Sequence, residues 1–261
     1  MSRLLAWAGM AAKEALAYRA WILLRVFVAG VAMVIASYLW RAVYAGTPSI
    51  AGIDGPTALT YVLLAEALAG AGQLGMVRRM AFLLREGQIA HELLRPIDLQ
   101  LARSALAAGS VAVALASRLP LLALAVWLGA DLPADPLRWL AFLGSFAVGA
   151  CAMFAFEWIV ACLAFYTTDV WGIMVLNEAL ALFFGGVLFP LDLMPGWLRV
   201  VADALPYRQT SYLPVSLLAG VKPLAAAPGV VAGQLAWALG LLVLSRLAFA
   251  RASRVVTVQG G

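Results

Sequence analysis

Long apolar runs alternate along this chain with short clusters of charge, proline and glycine, and six of the runs are long enough to cross a bilayer as helices. The first covers roughly residues 22–44, the second 57–77 and the third 104–129, with Pro120 predicting a kink inside the third. The fourth, 137–166, is long enough to require tilt or an end outside the bilayer. The fifth covers 170–188 and the last 229–249. Ahead of them, Leu4, Leu5, Trp7, Ala8, Ala11, Ala15 and Leu16 recur at helical spacing. They predict residues 1–20 as a helix lying along the membrane surface on its apolar face. Lys13 and Glu14 cut that apolar stretch too short for a signal peptide.

Residues 189–228 follow a different pattern, neither polar enough for a plain loop nor continuous enough for a span. Pro190, Pro195, Pro206 and Pro214 preclude a straight helix, while Trp197, Leu198, Val200, Val201 and Leu205 form the apolar face of a short one. Irregular backbone at membrane depth is tolerated only where protein or a water-filled cavity surrounds it. A partly re-entrant or interfacial element capping the outer side is therefore expected. The expected fold is all-α and integral to the membrane, six transmembrane helices in a single domain over 1–261, without an internal repeat.

Composition supports this reading. Sixty-five per cent of the 261 residues are hydrophobic and 12% charged, and the mean hydropathy is +0.97. A soluble globule has nowhere to hide that much apolar surface. The net charge of +5 does not argue for nucleic acid, because the basic residues flank the apolar runs instead of forming a patch. Twelve of them (Arg3, Lys13, Arg19, Arg25, Arg78, Arg79, Arg85, Arg95, Arg103, Arg246, Arg251, Arg254) fall on one side of the six-span arrangement. Five (Arg41, Arg138, Arg199, Arg208, Lys222) fall on the other. The richer side is expected in the cytoplasm, and both termini with it. Cys151 and Cys162 share one helix about 16 Å apart, too far for an intrahelical disulfide.

Four charges interrupt the spans: Glu66, Arg118, Glu157 and Glu178, with Gln73 and Asn177 nearby. Charges there usually face protein or water. The fourth and fifth spans turn near Thr168, so Glu157 and Glu178 both stand about 15 Å from the inner turn. Facing one another, they would share a proton or a cation; Glu66 and Arg118 are placed to neutralise each other. Two readings stand: polar pairs that fix helix packing, or a path (Glu66, Arg118, Glu157, Asn177, Glu178) for a cationic amphiphile, with Phe154, Trp158 and Phe183 as its aromatic surface. The inner connection 77–103 also admits two readings. Its charged clusters alternate with apolar pairs, which suits docking on a soluble partner or lying on the inner leaflet.

At this point the chain resembles the permease subunit of a type 2 ABC exporter, and within that group the branch with a "REG…LLRP" signature after the second span. The signature is carried by Arg85-Glu86-Gly87 and Leu93-Leu94-Arg95-Pro96, with His91 between them. A second pattern matches Phe189-Pro190, Pro195 to Leu198, Leu205-Pro206-Tyr207, Pro214 and Gly220. The resemblance covers essentially the whole chain. It implies a complex of two permeases, identical or homologous, with cytoplasmic ATPase subunits that bind ATP and Mg, in a bacterial cytoplasmic membrane. It also implies that 77–103 couples to the ATPase, with Arg85, Glu86, Gly87, His91, Leu93, Leu94, Arg95 and Pro96 as its contact residues. Efflux of hydrophobic or organic cations is the substrate class linked with this branch.

The chain has no G-x-x-x-x-G-K-[ST] loop and so no ATPase motif of its own. Gly70, Gly72 and Gly75 spell G-x-G-x-x-G inside an apolar run, where close helix packing is the better account than a dinucleotide site. His91 is the only histidine and has no companion ligands, so no metal, cofactor or hydrolase triad is expected of this chain. The rival readings are a self-sufficient proton-coupled transporter or channel, and a membrane-embedded enzyme.

Overall fold

The computed structural model describes Gly9 and residues 19–255 other than Gln73 and Thr168. The surface helix expected over 1–20 falls almost entirely outside them. The first helix, α1 (Arg19–Tyr44), leads into a two-residue hairpin of β1 (Ser49–Ile50) and β2 (Ile53–Asp54). Then come α2 (Gly55–Leu68), α3 (Met76–Arg85), α4 (Gln88–Leu93), α5 (Leu99–Ser117), α6 (Leu119–Trp127) and α7 (Pro136–Ala161). The remainder is α8 (Trp171–Phe184), α9 (Gly196–Asp203), α10 (Tyr212–Leu218) and α11 (Ala227–Ala252), joined by 3₁₀ turns.

Among the described residues four helical stretches are long and apolar enough to cross a membrane: Ala20–Tyr44, Leu99–Trp127, Pro136–Phe165 and Leu224–Val255. The second and fifth expected spans are shorter, with 14 helical residues each in α2 and α8. That is about 21 Å of helix against roughly 30 Å of hydrocarbon. The glycines explain the shortening of α2. Gly70 and Gly75 take φ of 74° and 63°, the left-handed region, so the helix ends at Leu68 and restarts as α3. They break the expected run 57–77. Gly72 meets the close-packing expectation, since a Cβ there would lie 2.9 Å from the Thr210 side chain, whereas nothing lies within 4 Å of one at Gly75. In the third run the interruption falls at Arg118, between α5 and α6, where Pro120 has no N–H to continue the ladder.

The central element is α7, which packs along α11 through Ala152, Ala155, Ala238 and Leu241. Small residues let the two backbones approach, which matters because apolar side chains gain nothing by leaving lipid for one another. Near the start of α7 an outer core gathers Tyr61, Leu64, Phe142, Leu191, Tyr212 and Leu218. Near its end an inner core gathers Met80, Phe154, Trp158 and Cys162, with Trp158 edge-on to Phe249 at 5.3 Å. By contrast α1 exposes Leu23, Phe27, Val28 and Ile35, as a lipid-facing helix does.

The proline-broken stretch is packed into the protein. Every residue of α10 is buried. Tyr212 Oη donates to Asp192 Oδ2 at 2.6 Å, Asp192 pairs with Arg199 at 2.9 Å, and Tyr61 Oη donates to the Gly186 carbonyl at 2.6 Å. The turn Pro206–Gln209 lies against α7 at Gly149, about 20 Å along that helix from Pro136. A Cβ at Gly149 would stand 2.0 Å from the Gln209 carbonyl oxygen. Gln234 Nε2 donates to that same carbonyl at 2.8 Å, and Ser145 Oγ donates to Gln234 Oε1 at 2.9 Å.

Candidate functional site

The inner connection folds as two short helices set on the end of α7. On α3, Met76, Val77, Met80, Ala81 and Leu83 are buried, a helical stripe that packs on α7 and the 3₁₀ turn Cys162–Phe165. Arg78, Arg79 and Arg85 point away from it. Gly87, with φ 66°, makes the left-handed turn into α4, whose single buried residue is Ile89. Glu92 then receives Arg95 at 3.1 Å and Arg103 at 3.2 Å, which holds the end of α4 against the start of α5. All eight residues expected to contact an ATPase, Arg85, Glu86, Gly87, His91, Leu93, Leu94, Arg95 and Pro96, are exposed together here. Phe82 is 51% exposed and Leu94 82%, so the patch carries apolar tips among its charges. The apolar face of α3 itself is taken up by the chain's own core and is not free for docking.

Asp98 anchors this surface to the last helix. Its carboxylate accepts from the Leu101 N–H at 2.7 Å, capping α5, and pairs with Arg246 of α11. Burial works against its ionisation, but the Leu101 N–H and the Arg246 guanidinium outweigh it and hold the carboxyl below its ordinary value. A lowered value in the folded state means the contribution is complete above the unfolded value, about 4, and is lost as pH falls through the folded one. The thermal midpoint difference between the wild type and Asp98→Asn is expected to stay constant from pH 7 to 5 and to narrow as the pH falls below about 4. A difference that persists in acid would contradict this anchor.

The intramembrane polar residues do not form the cluster their depth suggested. Glu157 is 3% exposed, and its two oxygens accept the backbone N–H groups of Leu74 at 3.0 Å and Met76 at 3.2 Å. Glu178, exposed on α8, faces Arg78 at 3.9 Å. The two carboxylates therefore have separate partners, although Glu178 stands near enough for its charge to act on Glu157. Asn177 accepts a hydrogen bond from Tyr207 Oη at 3.0 Å. No ion pair joins Glu66 to Arg118 among the described residues; the charge that acts on Arg118 is that of another arginine, Arg25. Phe154 and Trp158 are buried in the inner core and only Phe183 of the three aromatics reaches the surface. Two open hollows of about 480 and 460 Å³ lie between α1 and α6 and beside the hairpin, and none of the five path candidates lines either. Hydropathy and spacing could not have found the Glu157 contacts or the Tyr207–Asn177 pair, because one partner in each lies in an irregular segment remote in sequence.

Helices of this length and apolarity, packed through small residues and presenting a charged face at one end, define a multi-pass membrane protein. Among the described residues no group of three His, Cys, Asp or Glu stands close enough to hold a metal ion. Residues 30–260 match the ABC-2 family transporter proteins, and the chain belongs to that family. It is a membrane permease component of an ABC transporter. No curated protein and no solved structure gives a match.

Proposed function

We propose that this chain is the permease of an ATP-driven exporter, with the α3–α4 surface as the seat of a separate ATPase subunit that binds the ATP and Mg. The observation that carries this reading is the exposure of all eight expected contact residues on one surface backed by the buried stripe of α3. A docking face must transmit force, and this one stands on the buried stripe of α3 against α7. The same side holds twelve of the eighteen basic residues, which supports a cytoplasmic location for it and for both termini in a bacterial cytoplasmic membrane.

In this proposal α2 and α8 complete six crossings, helped by the segments that follow them. The proline-broken element is re-entrant in this reading, which its turn against Gly149, at the middle of α7, supports. A second permease, identical or homologous, covers α8, which has no buried residue and exposes Trp171, Val175, Leu176 and Leu182. The translocation path runs between the two chains, with Asn177 and Glu178 of α8 beside it and hydrophobic or organic cations as its substrate class.

Affinity purification of the chain from its native host in mild detergent tests this directly. An ATPase subunit is expected in stoichiometric amount, together with either a second permease or a second copy of this chain. A preparation holding this chain alone, able to move a cation in liposomes without ATP, would instead establish a self-sufficient transporter.

A further inference from the structure

We propose that Glu157 is the positioning residue that latches the start of the inner helix α3 onto α7, so that movement imposed on the α3–α4 surface reaches the spans through that carboxylate together with the buried stripe of α3. The inference deepens the functional reading above and rests on it. Between α2 and α3 the described residues 69–72, 74 and 75 lie outside any helix, with left-handed glycines at 70 and 75. The covalent connection therefore transmits little. Gly75, the residue ahead of α3, makes no side-chain cap, so the first N–H groups of the helix need another acceptor. Glu157 supplies it from a different helix, with one oxygen on Leu74 N and the other on Met76 N. Burial in place of water strengthens both bonds.

The neighbouring ion pair cannot replace this. Arg78 and Glu178 stand 3.9 Å apart with side chains 68% and 59% exposed, a geometry that contributes little. On the other side of Glu157 along α7, Phe156 meets the Tyr207 ring edge-on at 5.3 Å. The following residue, Trp158, is fully buried in the inner core. Adjacent positions on α7 thus hold the inner helix and the turn that reaches Gly149.

Glu157→Gln is nearly the same size, yet its amide accepts at one atom only and presents a donor to the second N–H. In the full chain in nanodiscs, hydrogen exchange at the Leu74 and Met76 amides is expected to quicken roughly tenfold in this variant, with α7 unchanged. Unchanged exchange at both amides would overturn the latch, whatever partners the chain proves to have. The second measurement uses the complex with its ATPase. Spin labels at Gln88→Cys and Leu163→Cys, with Cys151 and Cys162 replaced by alanine, report α4 against the turn that ends α7. With Glu157 present, one distance is expected in both the nucleotide-free and the ATP–vanadate-trapped states. In Glu157→Gln that distance is expected to broaden or split on trapping, with the ATPase still captured in wild-type amount. A variant whose distances follow the wild type through both states would show Glu157 to be a local cap that carries no movement.

Discussion

Gly149→Ala is expected to loosen the whole outer half of the molecule and to lower the thermal midpoint of the purified chain by about 10 °C, or to abolish its recovery from the membrane. The new methyl carbon would lie 2.0 Å from the Gln209 carbonyl oxygen and 2.7 Å from its carbon. Both are backbone atoms and cannot rotate aside as a side chain would. Either α7 moves away from α11 or the turn Pro206–Gln209 lifts off. The second outcome also breaks the Gln234 hydrogen bond to Gln209 and leaves Gln234 Nε2 buried without an acceptor. Overpacking of this kind costs about 3 kcal/mol, and an orphaned buried donor adds about 1–3 kcal/mol. Gly144→Ala on the same helix is the control, because nothing lies within 4 Å of a Cβ there. It is expected to be neutral or slightly stabilising, as alanine is in helices. Equal midpoints for the two variants would mean that the turn does not sit on α7.

The second large effect falls on assembly and leaves the fold intact. Leu94→Asp is expected to weaken capture of the ATPase subunit about thirtyfold, close to 2 kcal/mol, the size of a contact hot spot. Leu94 is 82% exposed at the end of α4, so the chain itself loses almost no buried contact. A carboxylate in its place must be desolvated on docking. Arg95→Ala is a less discriminating probe, because it also removes an ion pair to Glu92, which in turn holds Arg103. Pull-down of the variant beside the wild type, with thermal midpoints recorded for each, separates docking from folding. Full capture by Leu94→Asp would remove this surface from the interface.

Much of this architecture is legible without coordinates. The runs that became α1, α5–α6, α7 and α11 stand out because lipid exposure demands apolar side chains all round, and that demand is local to each stretch of chain. The exposed signature in 85–96 is legible for a related reason, since a charged and proline-stopped segment cannot enter the bilayer. Equally, Pro190, Pro195, Pro206 and Pro214 ruled out a span between α8 and α11. The second span was drawn too long because a hydropathy average passes over glycine, whose left-handed backbone at Gly70 and Gly75 ended the helix.

The intramembrane charges show where such reading stops. Their depth follows from counting residues, so Glu157 and Glu178 were placed at one level, yet a helix residue's partner depends on rotation about the axis and on what the rest of the chain brings there. The partners of Glu157 turned out to be two backbone N–H groups more than 80 residues away, exposed only because α2 breaks. Likewise Gly149 reads in sequence as one more small residue in a span, until the Gln209 carbonyl arrives against it. The sequence by itself determined the solvent, the class of fold, the polar surface at one end and the broken element elsewhere. Tertiary structure alone decided which buried polar groups meet, because those contacts join segments whose separation along the chain carries no periodic signal.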